Sequence, residues 1–261
     1  MNIFQRLLIL VVILLTASMG FAQELSEDAD NPAATPTPRT EDWAVAQHNS
    51  IIAHSKWPSS RVVFLGDSIT HGLQYGKSPE GGAAVWAKYF SPLNAVTFSV
   101  PGDKTQHLLW RITEGGELDG LNPKVVVVLI GINNLTGNKN TTEQTAEGVT
   151  AIVTAVKTKL PHTKILLLGI FPCWERDRVT KTNAIIAKLE DLKQVYYLDL
   201  GHKFIEPDGK ISRETLRDGI HPSEVGYNIW AQAMGPYLED LLKNDGKSEI
   251  WKNRVDGKPA N

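Results

Sequence analysis

Five short runs of near-continuous Val, Ile and Leu, separated by helical stretches, constrain this chain more than any other feature. They are Arg61–Leu65, Ala95–Ser99, Lys124–Ile130, Lys164–Gly169 and Val195–Leu200. A strand that is apolar on both sides of its pleat must be covered on both faces, which is the condition of strands in a parallel sheet. Helical stretches fall between them at Ala83–Phe90, Thr105–Ile112, Thr141–Lys159 and Thr180–Asp191, and Ser223–Lys243 follows the fifth run. Strands alternating with helices predict an α/β domain built on a parallel five-stranded sheet. Ahead of the first strand, Glu41–Ser55 spaces Trp43, Val45, Ile51 and Ile52 in a helical pattern expected to pack on that sheet. No internal repeat is visible.

The segments outside this alternation read differently. Met1–Ala22 carries Arg6, the unbroken apolar core Leu7–Leu15 and small residues at Gly20-Phe21-Ala22, the pattern of an export signal cleaved after Ala22. The apolar run is short of the roughly 20 residues of a membrane span, so a secreted or periplasmic protein is expected and an uncleaved anchor is the alternative. Gln23–Thr40, acidic and then rich in Pro, Ala and Thr, reads as a flexible linker. Residues 41–243 form the expected domain, and Asn244–Asn261 a polar, frayed tail. A net charge of -2 without a long basic cluster gives no support for nucleic-acid binding. The single cysteine excludes an intramolecular disulfide and a Cys-rich metal site. Within Phe-Pro-Cys-Trp, Cys173 is expected to be a small buried hydrophobe rather than a nucleophile.

Open parallel sheets bind ligands at the carboxyl ends of their strands, so the chemistry is sought there. The first strand ends at Gly66-Asp67-Ser68, which makes the Ser68 hydroxyl the candidate nucleophile, although Asp and Ser are also good helix caps. The second ends at Pro101-Gly102-Asp103, where the Gly102 N–H could face a developing oxyanion. After the third comes Gly131-Ile132-Asn133-Asn134, where an Asn side chain could donate to the same oxyanion. Near the end of the domain, Asp218-Gly219-Ile220-His221 brings a general base and an orienting carboxylate within one loop. The order Ser, Asp, His suggests an α/β-hydrolase, but Gly-Asp-Ser-Ile-Thr lacks the second glycine of the G-x-S-x-G elbow, and the acid and base are too close in sequence to come from separate strand ends. A metal-dependent hydrolase using His221, Asp218 and Asp67 would need a ligand cluster that is not recognisable.

Gly66-Asp67-Ser68-Ile69, Gly102, Gly131-x-Asn133 and Asp218-x-x-His221 resemble the four blocks of the SGNH, or GDSL-like, hydrolase superfamily. Gly102–Asn134 and the Gln47-His48-Asn49 stretch further resemble the platelet-activating-factor acetylhydrolase catalytic subunits and their bacterial relatives. The resemblance spans about Trp43 to Leu242. It implies a three-layer α/β/α flavodoxin-like fold and ester hydrolysis with no metal or organic cofactor. It also implies Ser68 as nucleophile, His221 as base and then acid, and Asp218 as its partner. The oxyanion hole would comprise the Ser68 and Gly102 N–H groups and the Asn133 side chain. Asn134 stands where many members carry Asp, and is assigned only a weak substrate contact. Pro101 stands where relatives often have Gly, which restricts the turn holding Gly102. The export signal departs from the intracellular enzymes, so their substrate is not inherited.

The expected function is thus a secreted serine esterase acting on short-chain, chiefly acetyl, esters of small molecules or carbohydrate. A lysophospholipase or thioesterase is one alternative, and a non-catalytic carbohydrate-binding domain on the same fold is another. Trp174, in the loop after the fourth strand, is the best placed of the tryptophans for substrate contact; Trp86 and Trp110 have core spacing. The resembling subunits dimerise, which makes a homodimer a candidate state.

Overall fold

The computed structural model describes residues 31–55, 59–137 and 139–254. The expected export signal, the first part of the linker and the last seven residues lie outside them. Five parallel strands form one sheet in the order β2-β1-β3-β4-β5. They are β1 (Val62–Gly66), β2 (Ala95–Ser99), β3 (Val125–Leu129), β4 (Lys164–Leu168) and β5 (Val195–Leu198). Every residue of β1 and β3 is buried, as strands covered on both faces require.

Alternate residues of each strand feed two separate cores. Val62 and Phe64 of β1 and Val125 and Val127 of β3 face one core. It is closed by α2 (Ser68–Tyr75), α3 (Ala83–Tyr89) and α8 (Glu224–Lys243). Val63, Leu65, Val126 and Val128 face the other. It is closed by α1 (Asp42–Ser55), α4 (Thr105–Ile112), α6 (Thr142–Lys159) and α7 (Arg176–Ile186). The short α5 (Ile132–Leu135) completes eight α-helices among the described residues. This is a three-layer, doubly wound α/β/α fold with flavodoxin-like strand order, whose crevice opens at the switch point between β1 and β3. None of the described helices is long and apolar enough to cross a membrane.

Three expectations need correction. First, the Pro-rich segment is docked from Pro32 to Thr40. Ala33 is fully buried, its carbonyl accepts the Thr105 hydroxyl at 2.7 Å, and the Thr37 N–H donates to the Gln106 carbonyl at 3.1 Å. Side chains of α4 create that anchorage, which composition alone does not reveal. Second, the polar tail is ordered through Arg254. Trp251 is 3% exposed, lies 4.7 Å from the Tyr196 ring and donates its indole N–H to Asp240 at 2.8 Å. Third, α1 buries Ala44 and Ile51, while Trp43 and Val45 are exposed. Residues two apart cannot share a helix face, and Trp43 instead carries the Arg39 guanidinium over its ring at 5.1 Å. Trp86 and Cys173 are buried as expected.

Candidate active site

Register fixes the site. Gly66, the last residue of β1, pairs with Ser99 of β2 on one side and Leu129 of β3 on the other, so the turns that follow all three strands lie together. After β1 the chain enters α2 directly. Asp67 is its N-cap and accepts the Ile69 N–H at 2.9 Å, and Ser68 is the first residue of the helix. The capping reading thus applies to Asp67, while Ser68 opens the helix directly after the carboxyl end of β1.

The Ser68 Oγ lies 2.8 Å from His221 Nε2, and His221 Nδ1 lies 2.7 Å from Asp218 Oδ2. Partial burial pushes the Asp218 carboxyl up, but the His221 N–H and ring and the Ile220 N–H outweigh it and hold it down to about 2. A carboxylate only accepts hydrogen bonds, so Nδ1 of His221 carries the proton and Nε2 is free to accept from the Ser68 hydroxyl. The loop that carries this pair is closed locally. Asp218 Oδ1 accepts the N–H groups of Ile220 at 3.0 Å and His221 at 2.8 Å. Gly219, at φ 87°, makes the turn between acid and base. Leu216 and Pro222 form an antiparallel bridge at the loop's base, and Ser223 then caps α8. From α8 the buried Tyr227 donates its hydroxyl to the Ile69 carbonyl at 2.8 Å, locking the loop's helix to the helix of Ser68.

On the opposite side, Val100-Pro101-Gly102-Asp103 is a turn closed by the Asp103 N–H on the Val100 carbonyl at 3.1 Å. Gly102 takes φ 77°. Pro followed by a left-handed Gly is the type II pattern, so Pro101 suits this turn rather than restricting it. Among the described residues the Gly102 N–H makes no hydrogen bond, and the Ser68 N–H, at the first position of α2, has no intrahelical acceptor. Asn133 donates from Nδ2 to the Asp103 carbonyl at 2.9 Å and lies 3.5 Å from Asp67 Oδ2, tying the third turn to the first two. Asn134 requires correction as a substrate contact. It is fully buried, its Oδ1 accepts the Thr105 N–H at 2.9 Å, and its Nδ2 faces Thr105, Gln106 and Asn140 at 3.0–3.1 Å. Its amide organises the start of α4. Trp174 is 63% exposed beside the Asp218–His221 loop.

A buried charge network beneath these turns was not read from the sequence. Arg111, 2% exposed, donates Nε to Asp103 Oδ2 at 2.8 Å and Nη1 to Glu117. It also reaches the Gly66 and Phe98 carbonyls at 3.4 Å. Glu117 in turn pairs with His48 at 2.8 Å, and Arg39 from the docked segment reaches Asp103 Oδ1 at 3.3 Å and the Pro101 carbonyl at 3.4 Å. The available signal was an Arg three residues after Leu108 on the buried stripe of an amphipathic helix, with Asp103 and Glu117 on either side.

Asp67 is enclosed differently. Burial, reinforced by the nearby Asp103 charge and opposed by the Ile69 N–H, pushes its carboxyl up to about 7. Between roughly pH 4 and 7 the unfolded chain releases this proton while the folded chain keeps it, so Asp67 lowers stability as pH rises through that window. Asp67→Asn preserves a capping side chain and removes the titration. The variant's melting temperature is expected to gain on that of the native protein steadily from pH 4 to pH 7; parallel curves would contradict the assignment.

Among the described residues no group of three or more His, Cys, Asp or Glu side chains is arranged to hold a metal ion. A cavity of about 730 Å³ runs along the β5 edge and is lined by neither Ser68 nor His221.

Residues 64–229 match the GDSL-like Lipase/Acylhydrolase family. The platelet-activating factor acetylhydrolase IB subunit alpha1 of Rattus norvegicus is 34% identical over 232 residues, covering 85% of this chain and 95% of that protein. A GDSL-like lipase from Bacteroides thetaiotaomicron superposes with a TM-score of 0.60 at 18% identity, covering 75% of this chain and 98% of that one. The Clostridium thermocellum family 3 carbohydrate esterase does so with a TM-score of 0.54 at 22% identity, covering 71% and 98%. At those identities the two structures share the fold with this chain.

Proposed function

The chain belongs to the GDSL-like lipase/acylhydrolase family and is an ester hydrolase, and we propose that it is an exported serine esterase acting on acetyl and other short acyl esters through an acyl-enzyme on Ser68. The observation that carries this reading is the hydrogen-bonded line Ser68–His221–Asp218 at 2.8 and 2.7 Å. Ser68 Oγ attacks the ester carbonyl carbon while His221 Nε2 takes its proton. Negative charge gathers on the carbonyl oxygen, within reach of the Ser68 and Gly102 N–H groups and the Asn133 amide. One Asn133 hydrogen is committed to the Asp103 carbonyl, and its contact to Asp67 is long, so the second hydrogen is the one offered to the oxyanion. The intermediate collapses, His221 protonates the departing alcohol, and the acyl group stays on Ser68. A water molecule, deprotonated by His221, then releases the acid.

The preference for acetyl is supported by the name of the 34% identical relatives. Export is supported by the pattern of Met1–Ala22. Acetylated carbohydrate is favoured over a lipid ester by one specific feature, the exposed Trp174 ring next to the catalytic loop, since a flat aromatic face suits the apolar face of a sugar. The domain so proposed begins with the docked segment at Pro32 rather than at Glu41.

The test is hydrolysis of p-nitrophenyl esters of increasing acyl length by the protein from Gln23 onwards. Turnover highest for acetate and falling through butyrate to octanoate is the expected result. A maximum at octanoate would replace the acetylesterase reading with a long-chain acylhydrolase.

A further inference from the structure

Beside the catalytic loop lies a second pocket of about 460 Å³, bounded by Trp174, Arg176, Lys210, Arg213, Asp218 and Gly219. The mechanism uses none of its side chains except Asp218. A Cβ placed on Gly219 would stand 3.7 Å from the Trp174 ring, so the ring rests on the turn between Asp218 and His221. The ring is thus in van der Waals range of Gly219, which lies between Asp218 and His221.

The charge of this pocket is predominantly basic, with three cationic side chains against one carboxylate. Its sole carboxylate, Asp218, is committed to His221. Lys210 is paired with Asp208 at 2.9 Å. Among the described residues Arg213 donates a hydrogen bond to the Arg217 carbonyl alone, at 3.4 Å. Neither Arg213 nor Arg176, at the first turn of α7, has a carboxylate partner among the described residues. Two guanidinium groups and an exposed indole around one cavity combine a planar, fork-shaped anion donor with a stacking platform.

We propose that this pocket binds an anionic substituent on the alcohol half of the ester, with the sugar or other ring that carries it stacked on Trp174. The inference rests on the esterase reading and narrows its substrate class to acetyl esters of acidic alcohols. A carboxylate, as in a uronic acid, and a phosphate ester present the same chemistry to the two arginines. Arg176 also lines the neighbouring cavity of about 730 Å³, which gives a longer acidic chain room to continue.

A matched trio separates these cases: acetylated methyl glucoside, the corresponding uronate, and the corresponding 6-phosphate. Arg213 is exposed and exposed charge pairs are weak and screened by salt. The expected kcat/KM ratio of anionic to neutral substrate is therefore about three- to tenfold at low ionic strength, shrinking as salt is added. Whichever of uronate and phosphate shows the larger ratio identifies the source of the anion. In Arg176→Gln/Arg213→Gln, with folding verified by its melting temperature, the ratio is expected to fall to about one. A ratio of one in the native protein, or one that persists in the double variant, overturns the proposal. Acetate released from p-nitrophenyl acetate without any charge preference would leave the esterase reading intact. No turnover of that ester by folded protein would remove both.

Discussion

Ser68→Ala is expected to lower kcat toward p-nitrophenyl acetate by roughly a million-fold, and His221→Ala by a similar factor. The two losses should not add. Ser68 and His221 share one hydrogen bond of 2.8 Å, and an unactivated hydroxyl is nearly as inert as none. The double variant is accordingly expected to be no slower than either single one, retaining the residual acceleration that binding and the oxyanion donors provide. Asp218→Asn should be milder, roughly ten-thousand-fold, because an amide at that position no longer fixes the proton on Nδ1. All three sites are partly solvent-facing, so melting temperatures should move little. A double variant markedly slower than both singles would mean that the two side chains act independently, contrary to a single proton-transfer unit.

Arg111→Met is expected to destabilise the protein by about 3–5 kcal/mol. The guanidinium holds together four elements: the Gly66 carbonyl at the end of β1, the Phe98 carbonyl in β2, Asp103 in the second turn and Glu117 beyond α4. Removing it leaves the fully buried Asp103 with only the longer Arg39 contact at 3.3 Å and the fully buried Glu117 with only His48, and an under-compensated buried charge is costlier than the pair it belonged to. Burial already raises the Asp103 carboxyl despite the attraction of Arg111 and Arg39. Without Arg111 the Asp103 carboxyl should be raised further, so the variant should lose further stability as pH rises. Arg111→Lys cannot span the same partners, since an ammonium lacks the planar fork. Neutralising the whole set in Asp103→Asn/Arg111→Met/Glu117→Gln is expected to recover much of the loss, because the penalty lies in the unpaired charges. Urea unfolding measures all of these. A single-variant loss under about 1 kcal/mol would show that water reaches the network.

The sheet was legible because burial on both faces writes itself into composition: Val125-Val126-Val127-Val128-Leu129 has no polar position at which to hesitate. The block ends were legible only in combination, since a Gly, Ser or Asn directly after such a run is by itself also an ordinary cap or turn residue. The α2 helix was not, because Ser-Ile-Thr-His-Gly-Leu-Gln-Tyr has a central glycine and a short span. Tertiary contact holds it instead. Tyr227 anchors Ile69, and a side chain on Gly72 would collide with that same Tyr227 hydroxyl. The docked segment at Pro32–Thr40 was misread for a similar reason. Its prolines and threonines match a disordered linker, and Thr105, Gln106 and Asp103, 64 to 72 residues away, supply the partners that fix it. Asn134 illustrates the converse limit. Its neighbour Asn133 has the same chemistry, and only the rotation of a four-residue helix decides which amide stays half-buried and which is fully buried.

The most direct measurement is covalent labelling with diethyl p-nitrophenyl phosphate, whose phosphoryl group stays on an activated serine. The expected result is one adduct per chain, on Ser68 by peptide mass spectrometry, with esterase activity lost in step and no adduct on the Ser68→Ala or His221→Ala protein. An adduct on another side chain, or full activity after stoichiometric labelling of Ser68, would contradict the assignment of Ser68 as the nucleophile.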